Sequence, residues 1–152
     1  MTRRPPYLDK FYPDIYRALN DVNRKLRMLY PDVDLPTSLI ELVSVRVSQI
    51  NGCGTCLSIH VPAARKAGVP ENKLDALPAW RMVAEFTEQE KAALDLAETL
   101  TTLPQGRDNS RAGAIACDVF AEEQVAALEW AIIMINTYNR ISIASGHPLI
   151  SR

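Results

Sequence analysis

Residues 41–60 read ELVSVRVSQINGCGTCLSIH. Asn51 and Gly52 interrupt this stretch with residue types that commonly end a helix. We therefore predict one helix that starts near Ser38 and stops near Asn51, and a second that begins at or just after Cys53 and continues to Ala67. The second helix would carry both cysteines of the C-x-x-C pair in its first turn.

The rest of the chain follows the same helical pattern, because its apolar residues recur at intervals of three or four rather than alternating. Thr87 and Glu90 have the spacing of a capping box, which predicts the start of another helix. No repeat, low-complexity tract or linker divides the 152 residues. We predict an all-α fold in a single domain over 1–152, a compact bundle of six to seven helices. The predicted helices not yet given cover about 14–30, 88–103, 110–120 and 122–145, with a loop-rich bridge over 71–81.

The charge balance excludes two classes of partner. The chain has 17 Lys and Arg against 18 Asp and Glu, with no block of like charge, so we predict no binding to nucleic acid or to an anionic membrane. No apolar segment follows the basic start at Arg3 and Arg4, and the longest apolar stretch, around 131–135, is too short to span a bilayer. We expect a cytoplasmic protein.

Three cysteines do not form the even, dense set of a disulfide-stapled secreted domain, so the close pair suggests redox or metal chemistry. Cys53, Cys56 and His60 share one face of a helix, because they are three and four residues apart. The start of a helix favours a thiolate over a thiol, since its unpaired N–H groups and its dipole attract negative charge. The pair is therefore a candidate nucleophilic site.

Glu41 is the fourth candidate residue. If the two helices beside the turn run antiparallel, Glu41 and His60 lie about 15 and 12 Å from it at ~1.5 Å per residue. The carboxylate and the imidazole could then form a proton relay to the thiol. Taken alone, a glutamate such as Glu41 is more often a capping partner, here of Ser38, and a histidine such as His60 is more often a structural residue.

Zinc binding and heme attachment are two other interpretations of the cysteines. A C-x-x-C pair is half of a zinc site, but the sequence has no second pair, and heme attachment needs a histidine where Leu57 stands. We predict no metal and no cofactor. Cys117 lies in an apolar run over 114–120 and is predicted to be a buried, inert thiol.

The spacing of Glu41, Cys53, Cys56 and His60 gives a glutamate twelve residues before a C-x-x-C-x-x-x-H motif. This pattern resembles the alkylhydroperoxidase D-like proteins of the carboxymuconolactone decarboxylase superfamily. The segments 86–94 and 136–140 also resemble segments that accompany the motif. The resemblance covers about residues 39–145, which we take as the core of the domain.

The resemblance implies an all-helical thiol peroxidase that reduces alkyl hydroperoxides. By position, Cys56 would be the peroxidatic thiolate, Cys53 would resolve its sulfenic acid as a disulfide, and Glu41 and His60 would relay protons. A dithiol such as a lipoyl group or a thioredoxin-like protein would reduce the pair. A homo-oligomer, a trimer or a hexamer, is also implied.

One residue departs from the best-known form of the motif, which has a second histidine where this chain has Thr55. A thiol–disulfide exchange protein or redox sensor without notable peroxidase activity therefore stays an alternative. A decarboxylase-branch enzyme, against which both cysteines argue, and a non-enzymatic binding protein are further ones. Trp80 is interpreted as a packing residue. Capping and salt-bridge roles are expected for Asn136, Asn139 and Arg140.

Overall fold

The computed structural model describes residues 3–151, and within them it contains eight α-helices, one 3-10 helix and no strand. The predicted all-α fold class is confirmed. The helices are α1 (Leu8–Phe11), α2 (Pro13–Asp32), α3 (Thr37–Asn51), α4 (Gly54–Lys66), α5 (Glu71–Ala76), the 3-10 helix (Leu77–Met82), α6 (Glu88–Thr102), α7 (Arg111–Ala116) and α8 (Glu122–Ser145).

Helix α3 is the central element, and it packs against α4, α6 and α8. Both of its faces are buried, because Leu42 and Val45 belong to one apolar cluster and Val43 and Val47 to a second. The first cluster adds side chains from α4, α5 and the 3-10 helix, and the second adds side chains from α6, α7 and α8. The helix that carries Glu41 is therefore held on both sides.

The start of α6 has the predicted capping box. The Glu90 backbone N–H donates to Thr87 Oγ1 at 3.1 Å, and the Thr87 backbone N–H donates to Glu90 Oε2 at 2.8 Å. Each bond satisfies a backbone donor that a helix start leaves unpaired.

The bridge over 71–81 was predicted to be mostly loop, but it is helical over Glu71–Met82.

The prediction for Cys117 was wrong, because this thiol is exposed. Helix α7 ends at Ala116, and the side chains that face the core are Ala112, Ala116 and Phe120, spaced four residues apart. Cys117 is one residue out of that register. An apolar run predicted a buried segment, but only one face of it is covered.

Helix α2 is more exposed than its sequence predicts. Its apolar residues at three- and four-residue spacing predict a stripe that packs inward, which consists of Ile15, Leu19, Val22, Leu26 and Leu29. Leu26 is buried and Leu19 packs against the core, but Ile15 is 71% exposed. A second face of the helix, which lines a cavity, is mostly polar. It consists of residues at four- and three-residue spacing: Tyr16, Asn20, Asn23, Arg27 and Tyr30.

Trp80 is buried, and its indole also makes a polar contact. Its Nε1 donates to Glu98 Oε1 at 2.8 Å, and Arg46 Nε donates to the same oxygen at 2.8 Å. Burial alone would raise the pKa of Glu98, but hydrogen bonds from Trp80, Arg46 and Arg81 lower it below its ordinary value. An ionised Glu98 therefore joins the 3-10 helix to α3 and α6.

Within residues 3–151, no helix is both long and apolar enough to cross a membrane.

Candidate active site

The turn between α3 and α4 places the cysteine pair. Gly52 has a φ of +68°, a left-handed conformation that glycine adopts without the steric cost of a Cβ. The Cys53 backbone N–H donates to Ser48 O at 3.0 Å, which closes the end of α3. The same residue is the N-cap of α4, and its Sγ accepts from the Cys56 N–H at 3.3 Å.

Cys53 and Cys56 are joined as a disulfide, with their Cα atoms 5.3 Å apart. They are 2% and 4% exposed. Their surroundings differ, because Cys56 lines a cavity between α2, α3, α4 and α8, whereas Cys53 lines a separate groove beside the end of α8. Each cysteine is thus adjacent to a different pocket.

Glu41 and His60 meet across the antiparallel pair α3 and α4. His60 Nδ1 lies 2.7 Å from Glu41 Oε2, and both side chains are largely buried. The alternative in which Glu41 caps α3 with Ser38 was wrong. Pro36 is the N-cap of α3 and makes no side-chain capping bond, so the carboxylate is directed at the histidine instead.

The cavity that contains Cys56, Glu41 and His60 has a volume of about 480 Å³. Such a volume fits a small organic molecule. Part of its wall is apolar, formed by Ile40, Ile59, Met134 and Ile135. The opposite wall is the polar face of α2, where Tyr138 Oη donates to Asn20 Oδ1 at 2.7 Å.

Two tyrosines of this cavity stay neutral at ordinary pH. Burial raises the pKa of Tyr30 and of Tyr138 to about 12 each. Their hydroxyl groups therefore keep a proton to donate. Sequence reasoning missed both residues. The polar spacing along α2 could have found Tyr30, whereas Tyr138 lies on α8.

Thr55 holds the last residues of the described chain in place. Its Oγ1 lies 2.7 Å from His147 O and 3.1 Å from Pro148 O. Ser58 adds a second attachment, because the Ile150 N–H donates to Ser58 Oγ at 3.0 Å. Residues 146–150, which we call the C-terminal strap, thus lie across the start of α4.

The strap also forms much of the groove at Cys53. This groove has a volume of about 350 Å³, and its lining includes Gly54, His147 and Leu149. A Cβ built on Gly54 would lie 3.2 Å from a Leu149 side-chain carbon, so the close approach of the strap favours glycine there. The strap therefore determines how much of Cys53 a second molecule can reach.

Asn136, Asn139 and Arg140 lie away from the Cys56 cavity, and the two asparagines join α3 to α8. Asn51 Nδ2 donates to Asn136 Oδ1 and to Asn139 Oδ1, at 2.9 Å each, and Asn139 Nδ2 donates to Ser48 Oγ at 3.1 Å. Arg140 donates to Asn136 Oδ1 at 2.9 Å. This network fixes the turn before Cys53 by hydrogen bonds rather than by the salt bridges expected from the sequence.

Within residues 3–151, no three His, Cys, Asp or Glu side chains are grouped so as to hold a metal ion.

Comparison with known proteins gives matches of three kinds. The model of the carboxymuconolactone decarboxylase family matches residues 13–99, more than half of the chain. The uncharacterized protein YdfG of Bacillus subtilis (strain 168) is 39% identical over 112 residues, which are 74% of this chain and 76% of that protein. A solved structure from Agrobacterium tumefaciens, of a protein of unknown function and candidate antioxidant defence protein AhpD, has a TM-score of 0.87. It is 25% identical and covers 99% of this chain and 100% of its own.

Replacing Thr55 by valine removes the hydroxyl that holds the strap and keeps the shape of the side chain. We expect the Ile150 amide to exchange roughly tenfold faster with solvent deuterium, since each lost hydrogen bond weakens the attachment. Hydrogen exchange with mass spectrometry of the C-terminal peptide measures this. Thr102→Val is the control, because the Thr102 hydroxyl bonds only to a carbonyl of its own helix. Unchanged exchange at Ile150 in Thr55→Val would show that Thr55 does not hold the strap.

Proposed function

The chain belongs to the carboxymuconolactone decarboxylase family and has an AhpD-like fold, and we propose that it is a thiol-dependent peroxidase for alkyl hydroperoxides. The observation that carries the proposal is that Cys56, Glu41 and His60 line one cavity, with the resolving partner Cys53 bonded to Cys56 from outside it. The antioxidant description of the relative from Agrobacterium tumefaciens agrees with this chemistry.

The first step consumes the hydroperoxide. In the reduced enzyme the Cys56 thiolate attacks the terminal oxygen of the substrate, so that an S–O bond forms and the O–O bond breaks. Cys56 becomes a sulfenic acid, and the departing alkoxide takes a proton to leave as an alcohol. Cys56 occupies the first turn of α4, where unpaired N–H groups and the helix dipole favour its thiolate.

His60 and Glu41 handle the proton. His60 Nδ1 is engaged by the Glu41 carboxylate, which fixes the ring and leaves Nε2 to take the thiol proton and return it to the alkoxide. The negative charge of Glu41 stabilises the imidazolium that exists between those two transfers. A buried carboxylate at 2.7 Å does this without the reorganisation that water would need.

The second step closes the cycle. The Cys53 thiolate attacks the sulfur of the Cys56 sulfenic acid, the S–S bond forms, and the hydroxide that leaves is protonated to water. A dithiol reductant of the lipoyl or thioredoxin-like class then exchanges with the disulfide, giving up two electrons and two protons and becoming oxidised itself. We propose that it reaches the pair from the Cys53 groove, because the substrate cavity is lined by Cys56 and not by Cys53.

Further parts of the proposal concern the assembly and its setting. We propose residues 1–152 as one domain and a homo-oligomer, a trimer or a hexamer, as the working form. Large apolar side chains that are exposed on α2 and α8, among them Ile15, Met28, Trp130 and Ile133, support an interface between subunits. A pair that needs a dithiol for each turnover suits the reducing cytoplasm.

Thiol–disulfide exchange without peroxidase activity is the second candidate function. One observation favours it. Where the best-known form of the motif has a histidine, this chain has Thr55, which holds the strap and adds no acid or base to the site. The family name also covers decarboxylation, but a disulfide at the edge of the cavity has no part in that reaction.

The two functions differ in a turnover assay with an organic hydroperoxide and a reduced lipoyl dithiol. We expect wild type to form the alcohol and the oxidised dithiol in equal amounts over many cycles, and Cys56→Ser and Cys53→Ser to lose this turnover. Cys117→Ser is the matched control and should keep it, because Cys117 is exposed and lines neither the Cys56 cavity nor the Cys53 groove. Exchange of the pair with oxidised dithiol, without any alcohol formed, would reject the peroxidase in favour of the exchange protein.

Glu41→Gln tests the proton relay, since it removes the carboxylate charge and keeps a hydrogen-bond acceptor for His60. We expect kcat/KM for the hydroperoxide to fall by about a hundredfold, the lower end of what positioned acid–base groups contribute. Stopped-flow consumption of hydroperoxide measures the rate, and a thermal melt checks folding. The exposed Glu88→Gln on α6 is the control for loss of one negative charge. An unchanged rate in Glu41→Gln would remove Glu41 from the mechanism.

A further inference from the structure

Arg27 stands apart from the other arginines of α2. Arg17 pairs with Asp14 at 2.8 Å and Arg24 pairs with Asp21 at 2.9 Å, each with the aspartate three residues earlier. The position three residues before Arg27 is Arg24, another cation. Within residues 3–151, Arg27 forms no salt bridge, so its charge is available to a molecule from outside.

This free cation belongs to the wall of the Cys56 cavity. Arg27 is the one lysine or arginine among the described residues that line it. Its positive charge acts on the hydroxyl groups of both Tyr30 and Tyr138, where it partly opposes the increase that burial causes in their pKa values. Arg27 and Tyr30 line the cavity together, so a guanidinium and a neutral O–H group are both available there to an anion, whereas the Tyr138 hydroxyl already donates to Asn20.

Two other groups of the cavity have the reverse charge. Cys56 as a thiolate and Glu41 are both anionic, so a carboxylate would be repelled beside them, whereas an uncharged peroxide group would not. The lining also includes Ile40, Met134 and Ile135, which offer apolar surface to a hydrocarbon chain or ring. A molecule with an acid at one end and a peroxide at the other would be oriented by attraction and repulsion together.

We propose that the cavity takes organic hydroperoxides that also carry a carboxylate, with the carboxylate at Arg27 and the peroxide group at Cys56. The inference rests on the proposed peroxidase function and adds the class of substrate. Arg27 is a binding and specificity residue in this account. It does not contact the reacting oxygen atoms, so the chemical step with a neutral hydroperoxide does not need it.

The experiment compares hydroperoxides that bear a terminal carboxylate, on alkyl chains of increasing length, with the methyl ester of each. Wild type should have a lower KM for the best acid than for its ester. Arg27→Gln should raise the KM of that acid roughly tenfold with little change in kcat. It removes a charge-assisted hydrogen bond that is equally strong in the bound substrate and in the transition state. Arg27→Lys should recover part of the loss. Arg24→Gln should leave the KM of the acid unchanged, because Arg24 is one turn away on the same helix and does not line the cavity.

The outcomes separate this inference from the proposed function. If acid and ester are reduced equally well and Arg27→Gln affects neither, the substrate class is wrong and the peroxidase stands. If no hydroperoxide is reduced, the peroxidase is wrong, and calorimetric binding of the unreactive hydroxy acid, which has the product's structure, decides about Arg27. Weaker binding of that acid to Arg27→Gln than to wild type or Arg24→Gln supports a carboxylate site, and equal binding overturns it.

Discussion

The hydrogen bond between Glu41 and His60 is the constraint on which the rest of the site depends. A carboxylate buried inside a helical bundle is costly unless a donor neutralises it, and His60 is that donor at 2.7 Å. The bond fixes how far α4 is shifted along α3. Because Gly52 makes the turn in only a few residues, the same bond also fixes where Cys56 enters the cavity.

The turn separates the chemistry into two sides. Cys53 ends one helix and begins the next, so its sulfur lies at a surface groove, whereas Cys56 is one turn further along α4 and faces the cavity. Asn51 and Asn139 secure this arrangement through α8. In the proposed cycle the oxidant reacts at the cysteine that lines the cavity, and the reductant approaches the cysteine that lines the groove.

The sequence predicted those parts of the molecule that depend on local spacing. The end of α3 at Asn51, the capping box of Thr87 and Glu90, and the approach of Glu41 to His60 all follow from helical geometry and turn residues. The candidate roles of the four site residues stay predictions, because they concern reactivity rather than position.

Features that depend on distant partners were not predictable in the same way. Ser38 and Glu41 have capping-box spacing, yet a histidine nineteen residues away offers a buried carboxylate a better partner than an exposed helix end does. The apolar residues of α2 predicted only part of its inner surface, because Leu26 is buried but the cavity is lined by a polar stripe of the same helix. Thr55 gave no local signal at all, since its partners lie more than ninety residues later in the chain.

The most direct measurement of the central claim is the site of sulfenic acid formation. Reduced Cys53→Ser and Cys56→Ser proteins would each be treated with one equivalent of an organic hydroperoxide in the presence of a sulfenic-acid trapping reagent, and the adducts located by peptide mass spectrometry. We expect a rapid adduct on Cys56 in Cys53→Ser and none on Cys53 in Cys56→Ser. A rapid adduct on Cys53, or none on either residue, would contradict it.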